Sequence, residues 1–251
     1  MVREDVAVDA EGAILHAWWY PARGRQAGTA SPCVVMAHGW TSTKKIHLDK
    51  FAEVFAAAGL CVLVFDHRGW GDSGTAPGKP RHEVDPWEQI RDYQHAITFA
   101  QNRSGVDPDR IGVWGVSLGG YYAPRFASGD ERIKACVSLC GPYTFGENWD
   151  IMPTLTRETF EVRSRSKDED DARALALTLT MDGRTASLRC PTLVVAGKKD
   201  RLIPWQQAER LHREVEGSDF LLLEDGNHGC ANVLSAHRYR TADWMAARLA
   251  A

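Results

Sequence analysis

The stretch RIGVWGVSLGGYYA, Arg110–Ala123, decides how this chain is read. An apolar run from Ile111 to Val116 meets a serine set among Gly115, Gly119 and Gly120, and residues of helical character follow. One glycine is enough for a turn. Three around Ser117 imply backbone segments too close together for Cβ atoms. A strand that turns there into a helix holds the Ser117 hydroxyl exposed at the C-terminal edge of a sheet. It also sits beside a helix N-terminus, where unpaired N–H groups favour negative charge. G-x-S-x-G in this context points to a nucleophile. The competing reading is a serine that only caps the helix.

The rest of the chain alternates in the same way. VREDVAVDA and AILHAWWYPA, separated by Glu11-Gly12, predict an antiparallel hairpin. CVVMAHG (33–39) and CVLVFDHRG (61–69) are short continuous apolar runs, the pattern of strands buried on both faces. Further strands are predicted at 111–116, 134–141, 192–197 and 220–226. Helical spacing covers 47–60, 85–103, 204–215 and stretches from about 118 and about 232. Asp85 and Pro86 are placed to cap and open the second of these. The fold class is α/β: a mostly parallel sheet with an N-terminal antiparallel hairpin and helices on both faces. Residues 141–190 interrupt the rhythm, and RSRSKDEDDARALALTLT within them predicts a charged helix. So long a structureless loop would be unusual. The expectation is a small helical cap, 141–190, inserted in a single domain, 1–251; an ordinary crossover helix with loops is the alternative.

Composition narrows the function classes. Lys and Arg number 30 against 33 Asp and Glu, a net charge of −3, so there is no basic field for nucleic acid. No apolar run approaches the ~20 residues that span a bilayer. MVREDVAVDAEG is charged and alternating, unlike a signal peptide, so a cytoplasmic location is expected. The cysteines form no C-x-x-C pair, and Cys33, Cys61, Cys136 and Cys140 lie in apolar runs, as reduced structural thiols do. Cys230 lies near the candidate site and reads as a small filler. No metal or cofactor is expected. The expected partner is a small acyl or ketone substrate, with no nucleic acid or membrane; a homodimer is left open.

A serine hydroxyl needs a base, and the base needs a carboxylate. Among the histidines, His228 in LLLEDGNHG follows the last apolar strand and shares the sheet edge with Ser117. His38 also ends a strand at that edge but introduces HGW; His16, His95 and His212 fall within regular elements. Asp200 in TLVVAGKKDRLIP follows the penultimate strand at the same edge. Glu224 and Asp225 are alternative carboxylates, Asp225 being placed to begin the turn that carries His228.

The order Ser117, Asp200, His228, together with MAHGW (36–40), FDHRGWGDSG (65–74), GVSLGG (115–120), GKKDRLIP (197–204) and GNHG (226–229), resembles the α/β-hydrolases over essentially the whole chain. The resemblance implies that the backbone N–H groups of Trp40 and Leu118 form an oxyanion hole, and that the DHRGWGDSG block is structural. GPYTFGENWDIMPTLTRETF, CPTLVVAGKKDRLIP and GNHGCAN are similar to the group of 2,6-dihydroxypseudooxynicotine hydrolase and the fungal pigment-pathway polyketide-shortening hydrolases. That group cleaves carbon–carbon bonds beside a ketone, some relatives being esterases, and uses an additional pocket glutamate, which implies Glu147 here. Its members carry an extra N-terminal helical region; the sequence here opens on the hairpin, so half of the enclosure is expected to be missing. Tyr143, Phe145, Trp149, Met152, Leu155 and Phe160 are expected to shape the substrate pocket under the cap. The reading is a Ser-His-Asp hydrolase of a carboxylic ester, with thioester or retro-Claisen substrates as alternatives. A lyase, an acyltransferase or a catalytically silent binding protein is the reading of another class.

Overall fold

The structure is a computed structural model that describes residues 3–24 and 28–250; Val2, at the start of the expected hairpin, lies outside them. Eight strands form one sheet: β1 (Glu4–Ala10), β2 (Ala13–Tyr20), β3 (Ser31–Ala37), β4 (Cys61–Phe65), β5 (Val106–Val116), β6 (Ile133–Leu139), β7 (Thr192–Gly197) and β8 (Asp219–Leu223). Their spatial order is β1-β2-β4-β3-β5-β6-β7-β8. β1 pairs antiparallel with β2, and β2 with β4; the pairs from β4 through β8 are parallel. This is the α/β-hydrolase arrangement.

The helices are α1 (Leu48–Ala57), α2 (Pro86–Gln101), α3 (Leu118–Ala127), α4 (Thr154–Ser164), α5 (Glu169–Thr178), α6 (Trp205–Glu214) and α7 (Leu234–Ala250). All seven residues of β3 are buried, because each face of the strand has its own helical cover. Val34 and Met36 join Phe51 and Phe55 of α1 and Met245 and Leu249 of α7. Val35 and Ala37 join Tyr93 of α2, Tyr121 of α3 and Leu211 of α6. Burying each large apolar side chain stabilises by roughly 1.5–3 kcal/mol, so the period-two alternation pins the register on both faces.

Register also levels the C-terminal strand ends. Ala37 lies beside both Phe65 and Gly115, Val116 beside Leu139, Leu139 beside Val195, and Gly197 beside Leu223. The loops that leave these ends therefore share one edge.

Two expectations are corrected. The strand over 61–69 ends at Phe65: after a last backbone bond from the Asp66 N–H to the His16 carbonyl, the N–H groups of His67 and Arg68 donate to the side chains of His38 and Asp92. The charged run 163–180 is not one helix. Arg165 adopts a left-handed backbone (φ 58°), α4 ends, and α5 restarts with Asp168 as its cap, accepting the Asp171 N–H at 2.9 Å. Glu169, Asp170 and Asp171 in the first turn of α5 suit its positive end. Among the described residues no helix is long and apolar enough to cross a membrane.

Asp85 caps α2 as its sequence implied, accepting the N–H groups of Trp87 and Glu88 at 3.1 and 3.0 Å. Asp85→Ala is expected to lower the unfolding free energy by about 1 kcal/mol, seen as a lower urea midpoint at unchanged slope.

Candidate active site

Ser117 occupies the hinge between β5 and α3 with φ 59° and ψ −128°. A non-glycine residue held there stores roughly 1–3 kcal/mol. The surrounding glycines show what holds it. A Cβ on Gly115 would stand 1.9 Å from the Gly119 carbonyl oxygen, and one on Gly119 2.5 Å from the His38 carbonyl oxygen. A Cβ on Gly120 would meet the Leu139 carbonyl oxygen at 2.8 Å, and one on Gly39 would meet the Ser117 Cβ at 2.7 Å. Backbone lies against backbone at every contact but the last. The Ser117 N–H donates to the Leu139 carbonyl at 2.9 Å, and its carbonyl accepts from Gly120 at 2.7 Å.

His228 arrives from the loop after β8, in a 3-10 segment, His228–Val233, that runs into α7. Its Nε2 lies 2.8 Å from Ser117 Oγ, and its Nδ1 lies 2.8 Å from Asp200 Oδ2. A carboxylate only accepts, so Nδ1 carries the hydrogen, and Nε2 is left to accept from the Ser117 hydroxyl. Asp200 is buried, and its Oδ1 accepts the backbone N–H groups of Leu202 and Ile203 at 2.8 and 3.0 Å. Burial acts to lower the His228 pKa, but the hydrogen bond and charge of Asp200 outweigh it, and the net shift is upward. Glu224 and Asp225 point instead to solvent, onto Lys198 and Lys199 at 2.8 and 2.6 Å.

His38 is fully buried and structural in its contacts. Its Nδ1 lies 2.6 Å from the Gly39 carbonyl oxygen, and its Nε2 accepts the His67 N–H at 3.2 Å. Burial, then the neighbouring His67, lowers its pKa to about 4, so it is neutral. The loop beyond Gly39 is tied down by a buried cation that the sequence reading missed. Lys44 Nζ donates to Asp66 Oδ2 at 2.5 Å and to Asp72 Oδ2 at 2.9 Å, and the Lys44 backbone N–H donates to Asp66 Oδ1 at 2.6 Å. A lysine seven residues past a strand gives no sequence sign that it is buried. Trp40 lies between Gly39 and this anchor and lines the space over Ser117, while Leu118 is the first residue of α3. As the first helical residue, Leu118 has no carbonyl partner within its own helix.

Of the residues expected to shape the pocket, Tyr143, Glu147, Trp149, Leu155 and Phe160 line neither space beside Ser117. Trp149 is buried, with its Nε1 donating to Glu169 at 3.1 Å and its ring edge-on to Phe160. Tyr143 donates to Glu214 and Asp182 at 2.5 and 3.1 Å, beneath Arg210. Glu147 is half exposed, 3.8 Å from Arg210, and Leu155 is 75% exposed. Phe145, Met152 and Thr156 do reach the space beside Ser117. The larger space, a cavity of about 320 Å³ lined also by Phe51, Trp114 and Leu234, shares Trp40, Ser117, Thr156, Leu202 and His228 with the smaller one. Among the described residues no group of three or more His, Cys, Asp or Glu is arranged to hold a metal ion.

Residues 46–250 match the sequence profile of Peptidase S9, described as the prolyl oligopeptidase family. The chain is similar to thiohydrolase aneE of Aspergillus aculeatus, 44% identical over 131 residues that make up 51% of this chain and 40% of that protein. It is also 42% identical over 117 residues to the quorum-quenching protein AidA of Acinetobacter baumannii, 47% of this chain and 37% of AidA. The matched region thus spans less than half of either relative. The crystal structure of 2,6-dihydroxy-pseudo-oxynicotine hydrolase superposes with a TM-score of 0.81 at 25% identity, covering 99% of this chain and 68% of that one.

Gly119→Ala is expected to destabilise the protein by roughly 1–3 kcal/mol, because the new methyl meets backbone that cannot rotate away. Gly129→Ala, whose Cβ would find its nearest neighbour at 3.8 Å, serves as the comparison and should stay within about 0.5 kcal/mol of the parent. Thermal unfolding of both variants checks the pair.

Proposed function

From the premise that this chain belongs to the prolyl oligopeptidase family, we propose that it is a serine hydrolase cleaving the acyl bond of a small neutral carboxylic ester or thioester. The observation that carries this reading is one imidazole placed 2.8 Å from both Ser117 Oγ and Asp200 Oδ2. Ser117 attacks the acyl carbon as His228 Nε2 takes its proton, and Asp200 stabilises the imidazolium that forms. The N–H groups of Trp40 and Leu118 receive the tetrahedral oxyanion, and losing one such donor typically costs roughly 3–4 kcal/mol of barrier. His228 then gives its proton to the leaving group, and the same imidazole activates water to release the acid.

Thioesters belong to the proposed class because of the similarity to a protein named thiohydrolase. The carbon–carbon alternative is supported by the similarity to 2,6-dihydroxy-pseudo-oxynicotine hydrolase, and only its additional pocket glutamate is assigned to Glu147. Glu147 lies instead on the surface beside Arg210 and lines no cavity next to Ser117. A reducing, cytoplasmic setting is part of the same proposal and fits the buried thiols of Cys33, Cys136, Cys140 and Cys230.

Fluorophosphonate labelling followed by mass mapping is expected to modify Ser117. Ser117→Ala should abolish labelling and reduce ester turnover by at least about a thousandfold. Labelling elsewhere, or a tenth of the activity retained, would remove Ser117 from the nucleophile's role. Products analysed with an added alcohol acceptor distinguish hydrolysis from acyl transfer.

The pH profile tests Asp200. His228 must be neutral to accept a proton, so kcat/KM should rise with pH. Because Asp200 raises the His228 pKa, the acid limb should have its midpoint above the ordinary imidazole value of about 6.5. Asp200→Asn should lower kcat by about 10⁴-fold and move the residual limb to lower pH. Asp225→Asn, which breaks only an exposed pair with Lys199, should leave both nearly unchanged. The reverse pattern would place the acid on the loop after β8.

A further inference from the structure

Two spaces adjoin Ser117, and they are very unequal. The gap toward α4, bordered by Phe145 and Met152, measures about 20 Å³. That is room for about one water molecule. The cavity between α1 and the start of α7 measures about 320 Å³. Trp40 stands between the two, its ring edge-on to Phe145 and Phe160 at 6.2 and 5.5 Å.

The larger cavity has a polarity gradient. Thr41, Ile46 and His47 form an exposed rim. Leu48, Phe51, Trp114 and Leu139, each no more than 2% exposed, close its deep end. No Asp, Glu, Lys or Arg contributes to the wall, so nothing there repays the desolvation of a charge. The deep side chains also supply no acceptor, so a hydroxylated aromatic ring would leave its O–H groups unpaired against them. An aliphatic chain brings no polar group that needs a partner there; the one polar side-chain atom of the deep end, the buried donor Trp114 Nε1, has no partner with or without it.

Resting on the acyl-hydrolase reading above, we propose that this cavity holds the unbranched aliphatic chain of the acyl group. At about 30 Å³ per water-sized group, the cavity of about 320 Å³ accepts a chain of roughly ten carbons. Chain length is thus selected mainly by α1 and the start of α7, with Thr156 of α4 the one wall residue from the helices between β6 and β7. The acyl side is assigned to it for a mechanistic reason. A leaving group must take its proton from His228 and reach solvent before water enters. The group that stays on Ser117 through both half-reactions is the one suited to a cavity closed at its far end.

The experiment uses p-nitrophenyl esters of linear acids from acetate to dodecanoate and a matching series of linear alkyl acetates, with fluorophosphonate labelling in parallel. In the parent, kcat/KM should rise about two- to fourfold per methylene, as expected for moving each from water, and stop rising near decanoate. Leu234 is half buried at the mouth of α7 and lines the cavity. Leu234→Trp should cut the octanoate-to-acetate ratio of kcat/KM by about tenfold or more, equivalent to removing two or more methylene contacts. Ala231→Leu, a milder filling of the same wall, should move the ratio in the same direction, so a poorly folded tryptophan variant does not decide the outcome. Met152→Ala, which enlarges the gap on the α4 side, should leave the ratio within about twofold.

Normal labelling of Ser117 with a flat chain-length profile would overturn the chain site while sparing the hydrolase reading. So would a ratio that responds to Met152→Ala but not to Leu234→Trp or Ala231→Leu. A preference seen in alkyl acetates but absent from the acyl series would assign the cavity to the leaving group and overturn the proposal. No labelling of Ser117 would overturn the hydrolase reading and the site with it.

Discussion

The structure depends on backbone crossing backbone around Ser117. β5 can lie between β3 and β6, and α3 can leave its end at once, only because Gly115, Gly119 and Gly120 present no Cβ to the carbonyl oxygens beside them. The same crossing forces Ser117 into a positive φ and aims its hydroxyl out of the sheet edge. The strain is local, while the burial that maintains it is spread over both faces of the sheet. A stiff, fully covered sheet is what allows one residue to be held in a conformation it would not choose.

The second tier is a set of buried charges under the loops at the same edge. Asp66 gathers the Lys44 ammonium and backbone N–H together with the Asp72 N–H, and Asp92 gathers the Arg68 N–H and guanidinium with His67. Each carboxylate is completely buried and has several donors. Removing one partner from such a group typically costs roughly 3–5 kcal/mol, because the other charge remains desolvated. The DHRGWGDSG block is therefore a foundation for the loop that carries Gly39 and Trp40. Its polarity reflects position in the fold, and none of its groups touches Ser117 or His228.

The aromatic residues of the segment between β6 and β7 spend their surface on one another. Phe160 is packed by Trp40, Phe145 and Trp149, and this cluster fills the volume an enclosed pocket on that side would need. The free space beside Ser117 falls where α1 and α7 diverge from the strand ends. Its apolar wall is continuous with the core on that face, which explains why it carries no charge.

The sequence by itself determined the sheet, its helical cover and the common edge of the loops, because two-sided burial imposes a pattern on every strand and glycine marks each close crossing. It singled out Ser117, Asp200 and His228 as candidates, because each follows a strand at that edge. The tertiary structure alone decided which carboxylate faces His228, since Asp200, Glu224 and Asp225 all sit near strand ends and only the turn after each fixes its direction. It alone revealed that Lys44 is buried, and that Tyr143, Glu147 and Trp149 line neither space beside Ser117. Whether an aromatic side chain lines a cavity or fills one depends on what packs against it from distant parts of the chain. Local sequence spacing carries no record of those neighbours.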